Sequence, residues 1–265
     1  MQMLEHWLAS CCAGLALAAC ASGAVQAAEF KVDVIQFEPW AYRINGGTAA
    51  ESYAGVLVEY MREFERRSGH TVVLTLTPYA RVELNLKTGA TDFSLMVWSD
   101  ARAAYARRGA EILPLRFGVR LIKGVAASQP HELRGLRMGV PRGLTLGQHF
   151  DADPLIDKQM TLDYTQAIRM VVKGRGVAGV AGSLATIDHL IRKLQVESYF
   201  GEELFLNNSY GVVAFSMRSK NIALEREVNA VFESIAQDGT AARIYRDFMS
   251  EGGLKAKAYA TGSVP

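Results

Sequence analysis

Short β-branched runs alternate with amphipathic helical stripes along most of this chain. Leu57, Tyr60, Met61 and Phe64 recur at i, i+3, i+4 and i+7, with Glu59, Arg62, Glu63, Arg66 and Arg67 on the other faces. That period predicts a helix over 55–68, stopped by Gly69. Ile187, Leu190, Ile191 and Leu194 repeat the spacing and predict a helix over 183–194. Strand-like runs occupy 32–35, 71–76, 92–98, 137–140, 177–181 and 210–215. Further helices are expected over 78–89, over 164–173 and on either side of the turn Asp238-Gly239, with helical or irregular chain near 101–110 and a frayed tail from Gly252. Strands that alternate with helices bury both faces of a largely parallel sheet, so the pattern predicts an α/β fold.

The first residues point to export. Residues 7–19 are apolar and uncharged, too short for a membrane span of about 20 residues and suited to the core of a signal peptide. Val25-Gln26-Ala27 offers the small residues of a cleavage site, which gives a signal peptide over 1–27. The segment 1–6 departs from that pattern, since it holds no Lys or Arg. Leu17-Ala18-Ala19-Cys20 also matches a lipobox, with Cys20 as the acylated residue, and both readings stay open. Both place the protein in the periplasm. All three cysteines (Cys11, Cys12, Cys20) lie in this leader, so cleavage after Ala27 leaves no disulfide to hold the fold.

Several chemistries are excluded. With 29 Lys and Arg against 27 Asp and Glu, the net charge of +2 lacks the signature of a nucleic-acid binder. The five histidines show no metal-ligand spacing. Gly174-Arg175-Gly176-Val177-Ala178-Gly179 matches a dinucleotide fingerprint, but a helix precedes it and a strand follows, the reverse of what pyrophosphate binding needs. There is no phosphate loop and no nucleophile elbow. Neither a cofactor nor a catalytic set is expected.

Two features remain. Phe37-Glu38-Pro39-Trp40-Ala41-Tyr42 puts three rings on a loop directly after the first strand, where open α/β sheets bind ligands. Phe37 and Trp40 either meet a ligand or cover the core of their own half. Gly139 to Gly147 reads as a strand, a glycine turn and a helix start at Thr145, which is either an anion site built from backbone N–H groups or a plain helix cap.

The ordered set of segments resembles the bacterial extracellular solute-binding proteins of family 3, the type 2, amino-acid-binding branch of ABC transporters. The segments that carry the resemblance are Phe37-Glu38-Pro39-Trp40, Gly55 with Glu59, Leu86 to Asp92, Ser99-Asp100-Ala101-Arg102, Leu133 to Val140, Gly143-Leu144-Thr145, Gly174-Arg175 and Ser216 to Lys220. The resemblance covers roughly residues 30–250. It implies a two-lobed type 2 periplasmic-binding-protein fold with two hinge crossovers, lobe 1 from 29–121 plus 212–265 and lobe 2 from 125–208. A monomer would close on a small polar, carboxylate-bearing solute and deliver it to an ABC permease in the inner membrane.

The resemblance also implies site residues. Arg102 matches the arginine that forks onto a ligand carboxylate, with Ser99 near it; the segment from Asp92 to Arg102 is about two residues shorter than in typical members. Thr145 matches an anion-contacting threonine. Phe37 and Tyr79 match flanking rings, Trp40 joins them, and Arg81 is either a second anchor or part of an ion pair. The aspartate that receives an amino acid's ammonium is replaced by Gly182, followed by Ser183. Either Asp188, Glu38 or another group substitutes, or the solute is not an ordinary α-amino acid. A ligand-sensing accessory protein and a small dehydratase-like enzyme on the same scaffold are the alternative functions.

Overall fold

The computed structural model describes residues 27–44, 52–250 and 259–260; the leader and Cys20 lie outside them. The first half runs β1 (Glu29–Ile35), β2 (Tyr42–Arg43), β3 (Ser52–Ala54), α1 (Val56–Ser68), β4 (Thr71–Thr77), α2 (Tyr79–Thr88), β5 (Phe93–Val97) and β6 (Ala106–Ile122). The second runs β7 (Arg137–Pro141), α3 (Gln148–Asp151), β8 (Asp157–Thr161), α4 (Tyr164–Val172), β9 (Gly179–Ser183), α5 (Leu184–Lys193), β10 (Phe200–Ser216), α6 (Glu225–Gln237), α7 (Thr240–Ser250) and β11 (Tyr259–Ala260).

Eight strands form one curled sheet in the order β4-β1-β5-β10-β6-β9-β7-β8. At one end β4, β1 and β5 run parallel, and at the other β8, β7 and β9 do. Two antiparallel strands of 17 residues, β6 and β10, join the ends. At about 3.4 Å per residue such a strand spans some 55 Å, enough to serve both. The C-terminal part of β10 pairs with β5 through Gly211–Phe215, while the C-terminal part of β6 pairs with β9 through Phe117–Leu121.

The structure departs from the sequence pattern in four places. The stretch near 101–110 is a five-residue 3₁₀ turn (Asp100–Ala104) followed by strand, so Arg107 and Arg108 belong to β6 and not to a helix. The helix expected at Thr145 begins at Gln148. β8 leaves no signal in the sequence, because an edge strand reading Asp-Lys-Gln-Met-Thr has little apolar alternation. Within the tail, Tyr259–Ala260 pair with β3.

The core under β1 is aromatic. Phe30, Phe64, Phe93, Phe215 and Phe232 are fully buried, and Phe64 stacks on Phe232 at 5.1 Å. Such pairs add about 0.5–1.5 kcal/mol each beyond the area they bury. This packing locks α1 and α6 to the sheet. A second cluster, including Ile168, Val171, Ile187 and Leu190, packs α4 against α5, and Phe37 touches both clusters. Asp33 is buried within β1 and accepts hydrogen bonds from Thr77 Oγ1 (3.0 Å) and Asn85 Nδ2 (2.7 Å), which fixes α2 and hence Tyr79 over the strand ends. No helix among the described residues is long and apolar enough to cross a membrane.

Candidate functional site

After β1 the chain turns through Phe37–Ala41 and meets α5 from the other end of the sheet. Trp40 is 8% exposed, and its Nε1 donates to Thr186 Oγ1 at 2.9 Å. Thr186 Oγ1 donates in turn to Ser183 Oγ (3.1 Å), which also caps α5. Both carboxylate oxygens of Glu38 accept from Lys193 Nζ, each at 2.5 Å. His189 Nε2 is buried and stops 3.6 Å from Glu38, too far for a hydrogen bond, and has no hydrogen-bond partner among the described residues. The aromatic loop is therefore clasped to α5, partly against Tyr245, whose ring lies 5.7 Å from Trp40.

Burial raises the Glu38 carboxyl, but His189 and Lys193 beside it lower it more, and it sits below its ordinary value. A lowered carboxyl stabilises the fold above its unfolded-state pKa, about 4.3, and that stability drains as pH falls through the lowered folded-state value. Glu38→Gln is therefore expected to flatten the fall in melting temperature between about pH 5 and pH 3. An unchanged slope in differential scanning fluorimetry would show that the clasp contributes nothing.

Behind the loop lies a cavity of about 60 Å³. Ile35, Leu57, Ile112 and Leu115 form its apolar floor, and the rings of Phe37, Trp40, Tyr79 and Tyr164 close over it, with Ser183 at one side. Phe37, Tyr79, Leu144 and Tyr164 also line an outer chamber of about 540 Å³, walled further by Arg43, Arg142 and Asp163. The titratable groups on the inner cavity are tyrosines, and burial pushes Tyr60, Tyr79 and Tyr164 up.

The residues expected to hold charge are placed differently. Arg102 is 3% exposed and lines neither chamber. Its Nε and Nη2 donate to Glu83, Nη1 to the Val97 carbonyl (2.7 Å) and Nη2 to the Tyr79 hydroxyl (2.9 Å). Its fork grips the protein's own carboxylate and steadies Tyr79. Ser99 starts the 3₁₀ turn, and its carbonyl accepts the Arg102 N–H at 2.9 Å. Thr145 is exposed, and the neighbouring N–H groups of Leu146 and Gly147 donate to Asp151 at 2.8 and 3.0 Å. Arg81 is exposed on α2, makes no ion pair among the described residues and lines neither chamber.

The substitutes for the missing aspartate are engaged as well. Asp188 accepts from Arg120 at 2.9 and 2.6 Å, and Glu38 from Lys193. At Gly182 an added Cβ would lie 2.2 Å from Tyr164 Cε1, so the tyrosine ring fills the place where a longer side chain would project. Tyr164, Leu144, Glu83 and Asp151 were not singled out from sequence. Only a fold places them, although Glu83 stands four residues after Tyr79 on one helix face.

Two long antiparallel crossovers through a curled sheet, with a cavity between its ends, define the type 2 periplasmic-binding-protein fold. The chain belongs to the bacterial extracellular solute-binding proteins, family 3, whose sequence model matches residues 32–251. Similar solved structures include an ancestral arginine-binding protein bound to arginine (19% identity, TM-score 0.70, 84% of this chain and 98% of that one). The substrate-binding protein of an amino acid ABC transporter is also similar (14%, 0.70, 84% and 100%). So is a histidine kinase sensor domain with similarity to periplasmic binding proteins (16%, 0.72, 85% and 96%). No curated protein matches by sequence.

Proposed function

We propose that this protein is an exported, periplasmic solute-binding protein that captures a small carboxylate-bearing solute and hands it to an ABC permease in the inner membrane. In this reading residues 29–121 plus 212–265 form one lobe and 125–208 the other, and the monomer closes on its solute by a hinge. The carrying observation is the cavity, which Ile35 and Tyr79 line from the β1 end of the sheet and Tyr164 and Ser183 from the β9 end. A solute there touches both walls only when they are together, and that differential contact is what shifts a population toward closure. Binding without turnover fits a lining whose titratable groups are tyrosines, because proton transfer at neutral pH needs a group tuned near 7.

A thermal-shift screen of amino acids, organic acids and polyamines tests this. Solute at about 100 times its Kd adds roughly 2.7 kcal/mol. For a chain of this size that raises the melting temperature by about 5–11 °C. Small-angle scattering should show contraction with the same compound, recovered chemically unchanged. No stabilisation by any class would overturn the reading, and turnover would favour an enzyme.

A further inference from the structure

We propose that the solute is a hydrophobic monocarboxylate without an ammonium group, its tail in the inner cavity and its carboxylate on Arg142. This rests on the solute-binding reading above and names the solute class and the residue that holds it. Three observations meet here.

The first is that the internal charges are spoken for. Glu83 occupies Arg102, Asp151 occupies the N–H groups of Leu146 and Gly147, Arg120 occupies Asp188 and Lys193 occupies Glu38. An ammonium brought into the cleft would find none of these carboxylates open, and a buried unpaired charge is costly.

The second is the shape and polarity of the two chambers. The inner one, about 60 Å³ and walled by aliphatic and aromatic side chains, is well below the roughly 150 Å³ that holds a benzene ring. It suits a short branched alkyl group. Phe37, Tyr79, Leu144 and Tyr164 continue the apolar wall into the outer chamber, so a solute that spans both is apolar at its inner end and polar only at its outer end.

The third is Arg142. Its side chain is exposed on the outer chamber and makes no hydrogen bond or ion pair among the described residues. The turn that carries it is held against the opposite wall, since a Cβ at Gly143 (φ +90) would lie 2.8 Å from Tyr79 Cδ1. Glycine there lets the turn that bears Arg142 pack against the Tyr79 ring, part of the wall that the two chambers share. Among the described residues, the other charged groups on this chamber are Arg43, which lies 5.9 Å from the Tyr53 ring, and Asp163, whose Oδ1 accepts the Gln166 N–H at 2.7 Å as the cap of α4. The open guanidinium of Arg142, beside a carboxylate that already gives one oxygen to the α4 cap, favours an anionic head over a cationic one.

Isothermal titration of the purified protein with 4-methylpentanoate, 4-methylpentanamide and L-leucine separates the terms, because the three share one branched tail. The acid is expected to bind at least tenfold more tightly than the amide and than leucine. Arg142→Gln should bring the acid down to the amide's affinity while leaving the amide unchanged. Leucine binding more tightly than the acid, or an acid-to-amide ratio unmoved by Arg142→Gln, would overturn the proposal. If the amide matches the acid, the head-group assignment fails while solute binding stands. If none of the three binds but another compound of the wider screen does, the solute class is wrong. If nothing in that screen binds, the solute-binding reading itself fails.

Discussion

Glu83→Ala is expected to destabilise the protein by about 2–4 kcal/mol, lowering its melting temperature by some 4–16 °C. The Arg102 side chain is 4% exposed and that of Glu83 22%. Removing the carboxylate leaves a nearly buried guanidinium with the Val97 carbonyl and the Tyr79 hydroxyl as its remaining acceptors, and takes away the partner of the Tyr105 hydroxyl. Breaking a fully buried pair from one side costs about 3–5 kcal/mol, and the partial exposure of Glu83 reduces that figure. Replacing both partners by apolar residues of similar volume, as in Glu83→Leu with Arg102→Met, should cost much less, because no orphaned charge remains. Chemical denaturation of the two single variants and the double variant measures the coupling directly. A loss below about 1 kcal/mol for Glu83→Ala would show that the pair behaves as a solvated one. The same result would return Arg102 to the set of groups free to meet a solute.

That pair also marks how far the sequence could be read. The α/β class and the helices over 55–68, 164–173 and 183–194 follow from apolar periodicity, and all three appear with each end within one residue of that expectation. The long strands were legible only in their apolar parts. Leu113 to Phe117 are broken in pattern by Pro114, and the first half of β10 is polar because it is half exposed. The rings of Phe37 and Trp40 stand together in chain order and Tyr79 enters only through the family resemblance; the fold places all three on one cavity. What a side chain's charge is doing was not visible. The spacing of Arg102 is the same whether its fork is open or closed by Glu83, and only the packing of α2 beside the 3₁₀ turn decides which. Thr145 is the same case in backbone form. Loop N–H groups look available in a sequence, and Asp151 takes them in the structure. In sequence Gly182 looks like a missing carboxylate, whereas in space it is a position that the Tyr164 ring fills.

Gly182→Ala should accordingly cost about 3–5 kcal/mol, a large loss for the addition of one methyl group. The new Cβ would stand 2.2 Å from Tyr164 Cε1, 2.3 Å from its hydroxyl and 2.6 Å from Cζ, all far inside contact distance. The tyrosine has little room to retreat. It is 2% exposed, packs in the α4–α5 cluster, lies 5.5 Å from the Phe37 ring and accepts the Ser183 N–H at 3.0 Å. Overpacking a rigid site costs about 1–3 kcal/mol, and φ of +155° at residue 182 adds backbone strain of the order of 1–3 kcal/mol for any residue with a Cβ. Gly182→Asp, which restores the carboxylate that the family resemblance places here, should be at least as damaging and should not confer amino-acid binding. The clash and the strain separate in a double-mutant cycle. Tyr164→Ala alone destabilises by opening a cavity, yet in the Gly182→Ala background it should cost less, since it also relieves the overlap. Strictly additive losses would mean that backbone strain alone excludes a side chain at 182. A strongly favourable coupling would mean that the Tyr164 ring holds the place that a side chain at 182 would need.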